Sequence, residues 1–417
     1  MYKKLIRMTV AAAATLATAQ PAVADTVSDW MTFVIHTNNP VDPPAGTPPR
    51  PDTARATSRA ALAMFEALNA IDRRYESYLG MAAADPSASQ DAAAATAAYQ
   101  VMIDHFPNLR SELDDNYAIA MAAIPNDAHR ETGRLIGEKA AKAALAVGGI
   151  DAAIKQTPYR PRTKLGEWVA TALPSVKPHD SAFHLWAVAR ADALRPPPPP
   201  AFTSERWARD YNEVKRLGGR ISTDRTPHQT LMANYRIMPD IAPALRMAAE
   251  SPGRSPVQNA RMYARVYMAT DDGGVAMADA KMFYDSWRPI TAIRNGADDG
   301  SDATAADPMW LPLLGTPNFP EHPCGHCIYA GAIAEVMAAE VGESPVTGVR
   351  VGTLASPNAV VQVLPSWAEW AKQVNDSRIY AGAHFRFANE AGEQMGRGAA
   401  RAVLENVMRP LSPKKAP

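Results

Sequence analysis

Three short stretches of this chain carry side chains that can do chemistry together. They are Lys281 through Arg288-Pro289, Pro323-Cys324-Gly325-His326, and Ser377-Arg378 through His384. They supply one lysine, two arginines, a glycine N–H and two histidines. That set suits a tetrahedral oxyanion held by fixed positive charge and worked on by two imidazoles. No other cluster in the sequence has comparable chemistry.

In the first stretch, Arg288 lies seven positions after Lys281, almost two helical turns, so a continuous helix would place both on one face. They would then lie about 10 Å apart along the axis, at ~1.5 Å per residue. Their long arms can converge on one anion between them. Pro289 disfavours helical geometry at Arg288 and predicts a stop there. Arg offers a planar fork of donors and Lys a point charge. Taken alone, the pair is equally a solvated basic face.

In the second stretch, Pro323 suits a first helical turn, and small apolar residues continue a helix to about Val341 before Gly342. The Gly325 N–H would lie near a helix N-terminus, a natural anion site, and Gly lets the backbone approach closely. His326 would stand at the rim for proton transfer. Cys324 and Cys327 are the two cysteines of the chain. A redox dithiol would need a preceding strand, and Pro320-Glu321-His322-Pro323 supplies none. Haem attachment would need His where Ile328 stands. A zinc site of His322, Cys324, His326 and Cys327 would crowd all its ligands into six residues. A local structural disulfide remains open.

In the third stretch, Arg378 and His384 would point about 240° apart on a straight helix, at ~100° per residue. They meet at one anion only if the helix ends or bends between them, and Gly382 sits where that break is needed.

The elements that must position these groups are helical. Abundant Ala and few Val or Ile runs favour helix over sheet, regular period-2 strands are absent, and the class is all-α, bundle-like. Ala61, Met64, Phe65, Leu68 and Ile71 form one apolar face after a cap at Asp52 or Thr53. Further helices are predicted over 89–105, 108–123, 127–147, 204–217, 227–248, 255 to about 287, and 390–408. No internal repeat is found. The organisation predicted is N-terminal helices over 52–150, an irregular Pro-rich strap over 155–203 carrying Pro196 to Pro200, and a catalytic helical core over 204–410. Before them, 25–51 reads as an extended lead-in, with six prolines between 40 and 51.

The chain begins with a basic Met1-Tyr2-Lys3-Lys4 segment, an Ala-rich apolar run, and small residues up to Ala24. This pattern predicts a secretory signal over 1–24, cut after Ala24, and hence a periplasmic or secreted protein. The apolar run is shorter than the about 20 residues of a spanning helix. Lys plus Arg and Asp plus Glu both number 43, so charge favours neither nucleic acid nor an anionic membrane as partner.

Lys-x6-Arg-Pro, Pro-x-Gly-His and Ser-Arg-x5-His, in this order, resemble the vanadium-dependent haloperoxidase family, whose signature is shared with bacterial acid phosphatases and type-2 phosphatidic acid phosphatases. Residues 63–72 (Ala63 to Asp72), Leu194-Arg195 with the five prolines after it, and Trp287 to Arg294 are similar to the secreted bacterial haloperoxidase-like branch. The likeness extends over most of 55–408. It implies an all-helical fold with one vanadate or phosphate site. Lys281, Arg288 and Arg378 match the residues that bind the anion's oxygens, with Cys324 and the Gly325 N–H beside them. His384 matches the vanadium ligand, which is the nucleophile in the phosphatases. His326 matches the acid–base histidine. Phe319 falls where chloride-oxidising members carry an aromatic. Two positions depart from the pattern: Cys324 stands where Ser is usual, and Ala278 where an aromatic is expected.

The resemblance implies one of two reactions in one pocket. A haloperoxidase would oxidise halide with hydrogen peroxide at histidine-bound vanadate, with Lys281 polarising the peroxide. A phosphatase would hydrolyse a phosphomonoester through attack by His384, with His326 protonating the leaving alcohol. A third reading is a non-catalytic oxyanion-binding helical protein, which would need the arginines but not the acid–base histidine.

Overall fold

The computed structural model describes residues 25–38, 53–147, 157–161, 164–173, 176–177, 183–355 and 360–411. The signal-like segment 1–24 and the proline-rich residues 39–52 lie outside them.

The N-terminal half of the helical core is built from α1 (Thr26–Asn38), α2 (Thr53–Ile71), α3 (Gln90–His105), α4 (Arg110–Ala122) and α5 (Ala128–Ala146). Helix α1 corrects the extended reading of 25–51 over its own span, where Val27, Trp30, Met31, Val34 and Ile35 form a buried stripe. The periodic face of α2 is buried as its spacing requires, with Ala61, Met64, Phe65 and Leu68 fully covered. Helices α3 and α5 start where side-chain caps are available: Ser89 accepts from the Ala92 N–H and Asp127 from the Arg130 N–H.

From Glu205 onward come α6 (Glu205–Leu217), α7 (Pro227–Tyr235), α8 (Ala242–Ala249), α9 (Pro256–Tyr284), α10 (Pro289–Arg294), α11 (Gly325–Val341), α12 (Trp367–Tyr380) and α13 (Arg386–Asn406). The single helix expected over 227–248 is two, because Pro239 and Asp240 leave the helix to pair with another segment. Short strands do exist. β1 (Thr157–Pro158) pairs with β2 (Val176–Lys177), and β3 (Pro239–Asp240), β4 (Val349–Thr353) and β5 (Gln362–Leu364) form a small antiparallel sheet in that order. The architecture remains all-α, and the sheet is an edge feature.

Helix α9 is the central element. It packs against α2 on the N-terminal side and against α11 and α13 on the other. Helices α11 and α13 approach closely through glycines: a Cβ on Gly331 would lie 2.4 Å from the Glu393 carbonyl oxygen, and one on Gly396 2.0 Å from that of Ile328. This contact holds the N-terminus of α11 beside the turn that precedes α13. Proline strap residues lie against the same region. The Pro196 carbonyl accepts from the Tyr284 hydroxyl, and the Pro197 carbonyl faces His322 Nε2 at 3.0 Å. No helix among the described residues is long and apolar enough to cross a membrane.

Candidate active site

Lys281 lies in the last turn of α9, which ends at Tyr284 because Asp285 takes a left-handed conformation (φ 43°). The helix does not run on to Arg288 as expected. Arg288 instead caps α10, with Pro289 in its first turn. The two cations therefore meet across a turn, not along one helical face. Both are buried: Lys281 is 1% exposed and Arg288 0%.

The two cations fix the segment that leads into α11. Lys281 Nζ donates to the Pro320 carbonyl (2.9 Å) and the Glu321 carbonyl (2.8 Å). Arg288 Nε donates to the Phe319 carbonyl (2.7 Å), and its Nη1 to that of Ala383 (3.0 Å). The Phe319 ring lies under both, with its centroid 5.1 Å from Lys281 Nζ and 4.8 Å from Arg288 Cζ.

Helix α12 ends at Tyr380, two residues after Arg378, and Gly382 (φ 74°) reverses the chain. The Ala383 N–H then returns to the Arg378 carbonyl at 3.1 Å. This is the break that the spacing of Arg378 and His384 demands. His384 Nε2 comes within 2.9 Å of Arg288 Nη1, and the ring is 2% exposed.

Helix α11 starts at Gly325, with Cys324 as its cap. Its first intrahelical bond runs from the Ile328 N–H to the Cys324 carbonyl, so the Gly325 and His326 amides have no acceptor within the helix. Cys324 and Cys327 form a disulfide, and Cys324 Sγ accepts from the Cys327 N–H at 3.3 Å. Neither sulfur is therefore a zinc thiolate or an oxidisable thiol. His326 is half-buried and is the part of the cluster nearest solvent. Its Nε2 faces the Ile237 carbonyl at 2.9 Å, so the proton sits on Nε2 and Nδ1 is left as the basic atom.

Sequence reading missed Glu321. It is 1% exposed, and its Oε1 lies 2.8 Å from His384 Nδ1 and 3.1 Å from the Phe385 N–H. A carboxylate there makes Nδ1 the protonated nitrogen and leaves Nε2 with a bare lone pair, which accepts from Arg288. The available signal was an acid placed between Pro320 and Pro323, directly before the helix that carries Gly325.

The electrostatics follow from burying several cations together. Burial and the neighbouring Arg288 hold the Lys281 ammonium well below its usual range. Burial lowers Arg288 to about 9 and Arg378 to about 10. Burial, then Arg288, Lys281 and Arg378, push His384 well down, so its ring is neutral. Burial and Arg378 take His326 down to about 3. Burial lifts Glu321 to about 7 against the pull of Arg288 and Lys281. The donors left over point to what completes the cluster. Arg288 Nη2 and Arg378 Nε and Nη1 are buried without an acceptor. A tetrahedral oxyanion fits this set: it would take the unpaired N–H groups, relieve the repulsion among the cations, and present its centre to a neutral imidazole nitrogen.

Residues 261–413 match the family model described as the VCPO second helical-bundle domain. The vanadium chloroperoxidase of Curvularia inaequalis is 33% identical over 88 residues, a stretch that covers 19% of this chain and only 14% of that protein's length. A solved bacterial vanadium-dependent iodoperoxidase superposes with a TM-score of 0.75 at 20% identity, over 94% of this chain and 97% of the other. An apo-type bacterial vanadium-dependent chloroperoxidase gives a TM-score of 0.65 at 16% identity, over 84% of this chain and 92% of the other. The fold class is thus the all-α helical bundle that the sequence implied. The resemblance to the vanadium-dependent haloperoxidases holds across the fold and, within 261–413, in the family's own second-bundle domain.

Proposed function

We propose that this chain is a vanadium-dependent haloperoxidase-like enzyme that oxidises halide with hydrogen peroxide. One observation carries the reading. His384 is fixed as a neutral ring with Nε2 bare, beside buried arginine N–H groups that have no protein acceptor. Lys281, Arg288, Arg378 and the Gly325 amide would hold the oxygens of vanadate, and His384 Nε2 would be its nitrogen ligand. When bound, vanadate supplies a Lewis-acid centre that makes peroxide electrophilic towards halide without a change in metal oxidation state.

The residues supply the rest. Lys281 has two ammonium protons committed to the Pro320 and Glu321 carbonyls and one left to polarise a bound oxygen. Once a bound oxyanion offsets the cations that hold its ring neutral, His326 Nδ1 can accept a proton at the open side of the cluster while Nε2–H stays on Ile237. Glu321 keeps His384 in the required tautomer. The disulfide removes the thiol that peroxide or hypohalite would otherwise attack. Likeness to solved haloperoxidases over nearly the whole chain supports this branch.

The second reading is a phosphomonoesterase, favoured by the same bare His384 Nε2, which is a nucleophile's geometry. One paired assay separates the two. Protein with vanadate, bromide and peroxide is tested for halogenation, and protein without vanadate for phosphomonoester hydrolysis. Vanadate-dependent halogenation is the expected result. Vanadate-inhibited hydrolysis alone overturns it in favour of the phosphatase. Silence in both, with tight phosphate binding, leaves a non-catalytic oxyanion binder. Export belongs to the same proposal: protein recovered from outside the cytoplasm should begin at Asp25.

A further inference from the structure

Arg236 follows α7 and is fully buried. Its Nη2 donates to the amide oxygens of Gln362 (2.6 Å) and Gln373 (2.8 Å). Its Nε and Nη1 have no acceptor. Among the described residues, the ionisable neighbour acting on it is the Tyr235 phenol, whose ring centroid lies 4.8 Å from Cζ, and not a carboxylate. A guanidinium enclosed in this way is costly unless an anion completes it. Arg378 shows the same condition in the oxyanion cluster.

Arg236, itself fully buried, is among the residues lining a cavity of about 410 Å³ between α7 and β5. That volume lies at the small end of the range for small-molecule sites, about 300–1,000 Å³. Its exposed lining is mostly aliphatic, with Leu231 56% exposed, Val360 83% and Val363 57%, and His228 is exposed beside them. One buried guanidinium and mostly aliphatic exposed walls describe a receptor for an amphiphile with a single negative charge.

We propose that this cavity is a second ligand site, which binds a small monocarboxylate bearing an apolar chain. The carboxylate faces the Arg236 guanidinium, and the chain lies against Leu231, Val360 and Val363. A phosphate dianion fits less well, because one cation and apolar walls leave most of its oxygens without donors. The site is separate from the oxyanion cluster and does not rest on the haloperoxidase reading. The two are joined through the Arg236–Ile237 peptide, whose Ile237 carbonyl holds His326, and through α12, which carries both Gln373 and Arg378.

The test is calorimetric titration of the full chain with sodium hexanoate, with 1-hexanol and inorganic phosphate as comparison probes. Saturable one-to-one hexanoate binding is expected, weakened at least tenfold in Arg236→Met and in Leu231→Glu. The second variant changes an exposed residue, so it keeps the fold while placing negative charge on the wall. Binding should persist in Arg378→Met. The proposal is overturned by any of four results: no saturable binding; hexanol binding as tightly as hexanoate; hexanoate binding unchanged in Leu231→Glu; or hexanoate binding lost in Arg378→Met. Phosphate that binds as tightly as hexanoate, and is equally sensitive to Arg236→Met, overturns the monocarboxylate class.

Discussion

Glu321 Oε1 and His384 Nδ1 lie 2.8 Å apart in a fully buried pair, and this contact decides which imidazole nitrogen faces the arginines. Glu321→Gln keeps an acceptor for Nδ1–H but removes the charge. Partners that orient a ligating histidine typically matter by 10–100-fold in affinity or activity. We expect a loss in that range in Glu321→Ala and a smaller one in Glu321→Gln, with circular dichroism unchanged. Equal activity in both variants and the parent would remove Glu321 from the site.

His384→Ala should abolish turnover in either assay while the helical spectrum stays unchanged. His384 contributes one ring to a site built by many elements, and its removal leaves α12 and α13 intact. Retained turnover would sink its role as ligand or nucleophile.

Arg378→Met should separate stability from function. Its guanidinium is 2% exposed, with Nε and Nη1 unpaired. Replacing an uncompensated buried charge by an apolar side chain of similar volume is often neutral or stabilising. The melting temperature should hold or rise. Loss of one preorganised donor to a developing oxyanion costs about 100- to 1,000-fold in rate. A fall in stability without loss of rate would mean that Arg378 is structural.

Gly382 couples Arg378 to His384. Its φ is 74°, and a Cβ there would lie 2.4 Å from the Gly218 carbonyl oxygen and 2.8 Å from Pro312 Cβ. Gly382→Ala should cost at least about 2 kcal/mol, from left-handed strain and backbone clash together. Urea unfolding measures this, and a shift within error would show that the turn relaxes freely.

His322 gives a pH signature. Burial holds its imidazole down to about 4, and Nε2 faces the Pro197 carbonyl. A free histidine takes up a proton near 6.5, so the unfolded chain binds more protons between about 4 and 6.5. The stability due to this depression is full above pH 6.5 and is lost as pH falls through about 4. Against His322→Gln, the parent's advantage in unfolding free energy should shrink on acidification across that window. The change is at most about 1.4 kcal/mol per pH unit. An advantage that grows on acidification would show the ring is charged in the fold.

Much of the scaffold was legible because helix signals are local. The apolar spacing of α2, the helix starts at 89, 127 and 204, and the glycine break at 382 each rest on signals within a few residues, and each appears where the sequence puts it. The same locality explains the errors. Nothing near Asp285 announces a left-handed residue, and Pro239-Asp240 becomes a strand only by pairing with β4, more than 100 residues away.

The chain's own order of residues determined which groups are available: the lysine, the arginines, the two histidines and the helix start at Gly325. Tertiary structure alone decided how they are used. It set Glu321 against His384 across 63 positions, joined Cys324 to Cys327, and left Arg236 enclosed without an acid. The physical reason is that tautomer, charge state and unmet hydrogen-bonding capacity depend on burial and on neighbours distant in sequence, which no local pattern encodes.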